Sequence, residues 1–161
     1  MAVRKRRTEA DYIKVKDKFE LMMSQFTSLT EKPGAKTTTK RYIGDASSTT
    51  RITSYEASSD FEGDQIINDV VVDYMLSIGK LRKTGDDSET EFCQVELDKP
   101  ANAENSFYAR KSKVSVQIDE LPDDDGDLGL KGTLNYIGDP VEGTFNTETK
   151  EFTEGFTAKA E

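Results

Sequence analysis

The stretch "KTTTKRYIGDASSTTRITSYEASSDF", Lys36 to Phe61, constrains this chain more than any other part of it. Thr, Tyr and Ile favour strands, and neither half offers a helical apolar stripe, so the two halves around "GDASS" read as one long hairpin. Both of its faces are largely polar. A solvated Ser/Thr-rich loop would share that composition. As a ribbon, the segment gains stability only by pairing with further strands, because an isolated two-stranded hairpin is marginal in water. Its open edges invite another chain.

The rest of the sequence sharpens that requirement. Only 34 of the 161 residues are Leu, Ile, Val or Phe, just above the level at which a strongly charged chain stays disordered. One domain with a thin core is expected, and support from partner subunits makes physical sense. The formal charge is −9, yet "RKRR" at Arg4 to Arg7 supplies +4, leaving −13 for the other residues. Acidic surface repels phosphate, so the body is not expected to grip DNA or an anionic membrane.

Residues 1–11, "MAVRKRRTEAD", read as a flexible basic arm, and 12–161 as a single domain. Phe19, Leu21 and Met23 alternate as in a strand, and "EKPGAK" turns the chain. One helix is predicted over 64–79, where Ile66, Ile67, Val70, Val71, Tyr74, Met75 and Ile78 share a face. Asp64 would cap its start and Gly79 end it. From 89 to 156 the pattern returns to strands. Cys93, Val95 and Leu97 alternate, as do Val114, Val116 and Ile118, and then Leu128, Leu130, Leu134 and Tyr136. "GDP" reads as a turn, and "VEGTF" and "EFTEGF" flank "NTETK" as a short hairpin.

Little catalytic chemistry is available. Histidine is absent, which removes the commonest general base and the commonest metal ligand. Cys93 is the single cysteine, so an intrachain disulfide framework is impossible, and its place on an apolar strand face suits a core residue. "GDASSTT" lacks the lysine and spacing of a phosphate loop. "LPDDDGDLG", Leu121 to Gly129, looks like a calcium loop but fails in detail. With Gly126 at the sixth position, Leu121 falls at the first and Gly132 at the twelfth, where acidic ligands are needed. Pro, Asp and Gly there supply a turn between two strands. No cofactor is expected, and the chain is not expected to be an enzyme. No apolar run approaches a membrane span.

The order of these pieces resembles the major tail tube protein of long-tailed phages and prophages of Gram-positive bacteria. The likeness rests on "YIKVKDKFELMMSQFTSLTEKPGAKTTTKRYIGD", on "SYEASSDFEGDQIINDVVVDYMLSIGKLRKTGDDSETEF" and on "GTLNYIGDPVEGTFNTETKEFTEG", and covers roughly Tyr12 to Phe156. It implies a mainly β chain with one flanking helix, a β-sandwich or partial barrel. Six copies would form a ring, and rings would stack into a hollow tube that conducts DNA from capsid to host cell. The basic arm is a departure from the family pattern.

The resemblance also implies where to look for function. Thr37, Thr39, Arg51, Thr53 and Tyr55 are the inner-wall candidates. Arg4, Lys5, Arg6 and Arg7, with the connection Ser28 to Ala35 and the C-terminal tail, are candidates for contacts between rings. Partners would be further copies of the chain, the tape measure, initiator (distal tail) and terminator proteins, and DNA in transit without specific binding. The location would be a virion tail assembled in the bacterial cytoplasm. A monomeric β-sandwich that binds carbohydrate or protein through loops such as 121–129 is the alternative.

Overall fold

The computed structural model describes residues 1–160; Glu161, the last residue of the expected domain, lies outside the described residues. The chain is mainly β with one α-helix among those residues. A short 3-10 turn, Arg6–Thr8, leads into β1 (Glu9–Val15), β2 (Lys18–Met22) and β3 (Phe26–Lys32). The chain then runs through β4 (Ala35–Lys40), β5 (Thr49–Tyr55), β6 (Ser58–Asp64) and the helix α1 (Val70–Lys80). After a 3-10 turn at Gly85–Ser88 come β7 (Glu89–Pro100), β8 (Ser106–Glu120), β9 (Asp123–Asp124), β10 (Asp127–Asn146) and β11 (Glu151–Glu154).

Nine strands form one sheet in the order β2-β1-β7-β8-β10-β6-β3, with β9 and β11 added to β10; β4 and β5 make a separate two-stranded sheet. Every pairing is antiparallel. The strand alternation sorts apolar residues onto both faces of the large sheet. On one face Ile13, Phe61, Phe92, Val114, Val116, Leu130 and Leu134 pack with Val71, Met75 and Ile78 of α1. On the other face Tyr12, Phe19, Cys93, Val95, Ala109 and Phe145 form a second cluster. The sheet coils to close both. Tyr12 on β1 and Phe145 on β10 have two strands, β7 and β8, between them in the order, yet their rings are centred 4.4 Å apart.

Three local readings are corrected by the structure. The helix starts at Val70, six residues after Asp64, because β6 continues to Asp64 and pairs with Gly129. Asn68 then takes a left-handed φ of 63°. Asp69 caps the helix, accepting from Val72 N at 3.0 Å. Ile66, Ile67 and Val70 are therefore exposed, and Val72, absent from the predicted stripe, is buried. "GDP" does not turn the chain: Gly138 (φ 75°), Asp139 and Pro140 form a bulge within β10, opposite the step from Lys113 to Lys111. Leu128 is exposed rather than sharing the face of Leu130 and Leu134, because it pairs with Asp123 in the outlying β9–β10 hairpin.

Candidate assembly surfaces

The two-stranded ribbon β4–β5 has no buried residue. Its strands are held by their own ladder, by a 2.9 Å contact between the Thr39 and Thr50 hydroxyls, and by Thr53 Oγ1 donating to Lys36 O at 3.2 Å. A turn at Tyr42–Asp45 forms part of the tip. The ribbon continues the β3–β6 pair outward, separated from it by Pro33–Gly34 on one strand and Glu56–Ala57 on the other. Gly34 is needed at that joint: its φ is 66°, and a Cβ there would lie 2.1 Å from Glu56 O. Four large hydrophobic side chains sit on the ribbon and its tip with nothing to cover them: Tyr42, Ile43, Ile52 and Tyr55. Their signal in the sequence was present but faint, as isolated apolar residues in a polar run.

The five inner-wall candidates lie on this ribbon without sharing a face. The register pairs Thr37 with Ile52 and Thr39 with Thr50, so from Thr37 to Lys40 odd positions of β4 sit beside even positions of β5; before that, a bulge pairs Ala35 with Tyr55 and Lys36 with Ser54. Successive side chains alternate faces. Thr37 and Thr39 are therefore on the side of Thr50 and Ile52, while Arg51 and Thr53 are on the opposite side with Thr38 and Lys40; the register shift between Lys36 and Thr37 leaves Tyr55 opposite Ala35, on the side of Thr37 and Thr39. The second side carries the cations; the first is neutral.

The basic N-terminal segment is docked on its own domain. β1 begins at Glu9, within the stretch expected as an arm. The Arg4 guanidinium donates to both carboxylate oxygens of Asp98, at 2.8 and 2.9 Å, and lies 3.4 Å from Glu96. That contact lowers the Asp98 pKa and raises that of Arg4. Arg6 pairs with Asp11 and donates to Glu9 O at 3.1 Å. Lys5 and Arg7 make no ion pair among the described residues.

Asp11 had no distinguishing sequence signal, yet it is the most unusual carboxylate here. It is only 1% exposed, and its Oδ1 has no hydrogen-bond partner. Burial pushes its pKa up to about 6 despite the opposing charge and hydrogen bond of Arg6. A raised carboxyl pKa means that the folded state binds the proton more tightly than the unfolded state. The stability Asp11 contributes is thus fully present below its ordinary value of 3.8 and is lost as pH rises through about 6. Asp11→Asn, which carries no charge at any pH, should raise the unfolding free energy near neutral pH by up to about 3 kcal/mol. Denaturant melts of both proteins check this: the gain should vanish in acid.

A polar network closes the same face of the sheet beside the ribbon's base. Arg110 on β8 donates two 3.2 Å bonds to Glu31 on β3, and Gln94 on β7 adds a third at 2.9 Å. Burial pushes Glu31 up, but these donors outweigh it and leave its pKa below the ordinary value. Tyr136 is within 2.6 Å of the Ser59 hydroxyl, and burial pushes it up to about 12. Around these groups is a cavity of about 450 Å³, bordered by Tyr55 and the 138–140 bulge. Residue separations of 63 and 79 explain why sequence alone did not join Glu31 to Gln94 and Arg110. Cys93 is fully buried on the other face, and burial pushes its thiol up to about 12.

The acidic stretch 121–129 is a tight hairpin. Asp125 and Gly126 both have positive φ, 52° and 94°, the geometry of a type I′ turn. Asp123 accepts from Gly126 N at 2.9 Å, so one aspartate stabilises the turn directly. Among the described residues no three His, Cys, Asp or Glu side chains are grouped to hold a metal ion, and no helix is long and apolar enough to cross a membrane.

The sequence matches no protein-family profile, and no curated protein matches it. Solved structures share its fold. One is the tail of an empty GTA particle, determined by helical refinement with C6 symmetry. It is 10% identical, with a TM-score of 0.62, over 86% of this chain and 97% of the other. A second is the baseplate of the anti-feeding prophage, six-fold symmetrised. It is also 10% identical, with a TM-score of 0.51, over 92% of this chain and 97% of the other.

Proposed function

We propose that the chain is the building block of a phage tail tube, with six copies forming a ring and rings stacking into a hollow conduit for DNA. The observation that carries this reading is the uncovered β4–β5 ribbon, on a fold shared with chains of six-fold tail assemblies. A two-stranded ribbon with unpaired edges and four uncovered large hydrophobics has most to gain from other copies of itself. The resemblance supports the narrower assignment to the major tail tube protein of long-tailed phages of Gram-positive bacteria. It also supports tape measure, initiator and terminator proteins as partners, within a virion tail assembled in the host cytoplasm.

Charge suggests how the ribbon is oriented. Residues 35–55 carry +3, and the rest of the chain therefore carries −12. Cations facing the bore would bind phosphate at many points and slow the passage of DNA. The neutral side, Thr37, Thr39 and Thr50, is therefore assigned to the lumen, and the side of Lys40 and Arg51 to the acidic body of a neighbouring copy. This divides the inner-wall set, keeping Thr37, Thr39 and Tyr55 on the lumen side and moving Arg51 and Thr53 to the subunit contact. The double variant Lys40→Glu with Arg51→Glu should reduce pelletable tubes at least tenfold at low salt, with an unchanged melting temperature. Undiminished tube yield would remove this orientation.

A further inference from the structure

Residues 1–7 are all exposed and Thr8 is only partly buried, so the N-terminal segment is held by polar contacts rather than by a core. Its hold on the domain consists of two clasps of different character. The outer one, Arg4 on Asp98, joins side chains that are 47% and 34% exposed; such a solvated pair holds weakly and weakens further in salt. The inner one, Arg6 on Asp11, joins a half-exposed guanidinium to a carboxylate with 2% side-chain exposure.

We propose that residues 1–8 are a detachable latch and that Asp11 is its release group: when the carboxylate takes up a proton, Arg6 loses its counter-charge and the segment leaves the domain. The geometry around Asp11 favours this. Its Oδ2 is committed to Arg6 and its Oδ1 has no partner, so no other donor holds the charged form in place. Glu9 on its own strand and Glu31 on β3 push its proton affinity further up. Arg110 on β8 is committed to Glu31. Gln94 on β7, paired with Asp11 across the ladder, donates to Glu31 as well. Cys93 and Tyr136, the other titratable groups that feel Asp11, are themselves neutral, with their pKa values pushed up to about 12.

The sign follows from these partners. Above about pH 6 Asp11 is charged and the inner clasp is closed; as pH falls through about 6 the charge attraction disappears. Asp98 is shifted the other way and stays charged to lower pH, but its exposed pair with Arg4 is too weak to hold the segment once Arg6 lets go. Docked, Arg4 and Arg6 are spent inside the chain. Released, all of Arg4, Lys5, Arg6 and Arg7 face solvent and are available to an acidic surface. The inference concerns the single chain and does not rest on the tube assignment.

A nitroxide attached at Val3→Cys reports the latch, because Cys93 is fully buried and not available for labelling. In the full chain, the spin-label spectrum should change from slow to fast motion between about pH 8 and about pH 5, with its midpoint near Asp11's pKa. Asp11→Asn should be fast at both values. Arg6→Gln, which changes only an exposed side chain, should do the same and guards against misfolding of the first variant. Arg4→Gln should leave the midpoint in place. A parent spectrum identical at both pH values would overturn the proposal, as would slow motion at the higher pH in Arg6→Gln.

Discussion

Excising Ala35–Tyr55 is expected to abolish ring and tube formation while leaving the body folded. The cut joins Gly34 to Glu56, whose backbones already meet through a 2.8 Å hydrogen bond from Glu56 N to Gly34 O. The resulting loop, Pro33-Gly34-Glu56-Ala57, would close the β3–β6 pair just beyond its last rung, Lys32 with Ser58. Neither strand of the ribbon contributes a buried residue, so the body loses almost no core. Assembly loses much more. Tyr42, Ile43, Ile52 and Tyr55 are all uncovered in the single chain. Burying Tyr42 and Ile43 at the tip fully against a neighbour would contribute about 1.5–3 kcal/mol each, and ladder bonds along the free edges would add to that. A fall in sedimentable polymer of roughly 100-fold or more, corresponding to about 2.7 kcal/mol per contact, is the expected result. Normal circular dichroism would confirm that the body had folded. Tubes that form equally well without the ribbon would refute its role.

Phe61→Ala should have the largest effect on the fold itself. Phe61 is 1% exposed on β6 in the larger core cluster. Phe26 meets it edge-on, with ring centres 5.7 Å apart at 88°. Its pairing partner on β10 is Gly132, where an added Cβ would lie 2.8 Å from the end of the Phe61 ring. Glycine there leaves the space that the ring fills, and it has no side chain of its own to refill the cavity that truncating Phe61 opens. The expected loss is about 3–5 kcal/mol, a large part of the roughly 5–15 kcal/mol available to a domain. By comparison, Ile67→Ala, at a site 86% exposed, should change stability little. Chemical denaturation of the three proteins measures both. A loss below about 1 kcal/mol for Phe61→Ala would contradict the packing described.

What could be read in the sequence followed local periodicity. Val114 and Val116, then Leu130 and Leu134, alternate onto a buried face because successive strand residues point to opposite sides. The Thr-rich ribbon was legible for the opposite reason, since a β-prone run without an apolar face has no place in a core. What escaped depended on register or on distance along the chain. The inner-wall candidates are all odd-numbered, but alternation along each strand does not tell which positions of the two strands share a side. The register of β4 with β5 sets Thr37 and Thr39 apart from Arg51 and Thr53, and the bulge in that ladder returns Tyr55 to the side of the two threonines. The apolar Ile66 and Ile67 extended the helical stripe on paper, whereas the chain is held there by the β6–β10 ladder until Asn68 and Asp69 begin the helix. Arg4 lies 94 residues from Asp98, and no local pattern indicates that a basic segment will be neutralised by its own domain.

Electron microscopy of the purified full-length chain over a range of concentration and salt tests the central claim most directly. The account predicts six-fold rings, or hollow tubes built from them, that become more abundant with concentration and are missing when Ala35–Tyr55 is excised. A particle that remains monomeric at every concentration and salt, including after addition of a tail initiator complex, would contradict it. That result would leave the ribbon as a surface for binding something other than a second copy of the chain.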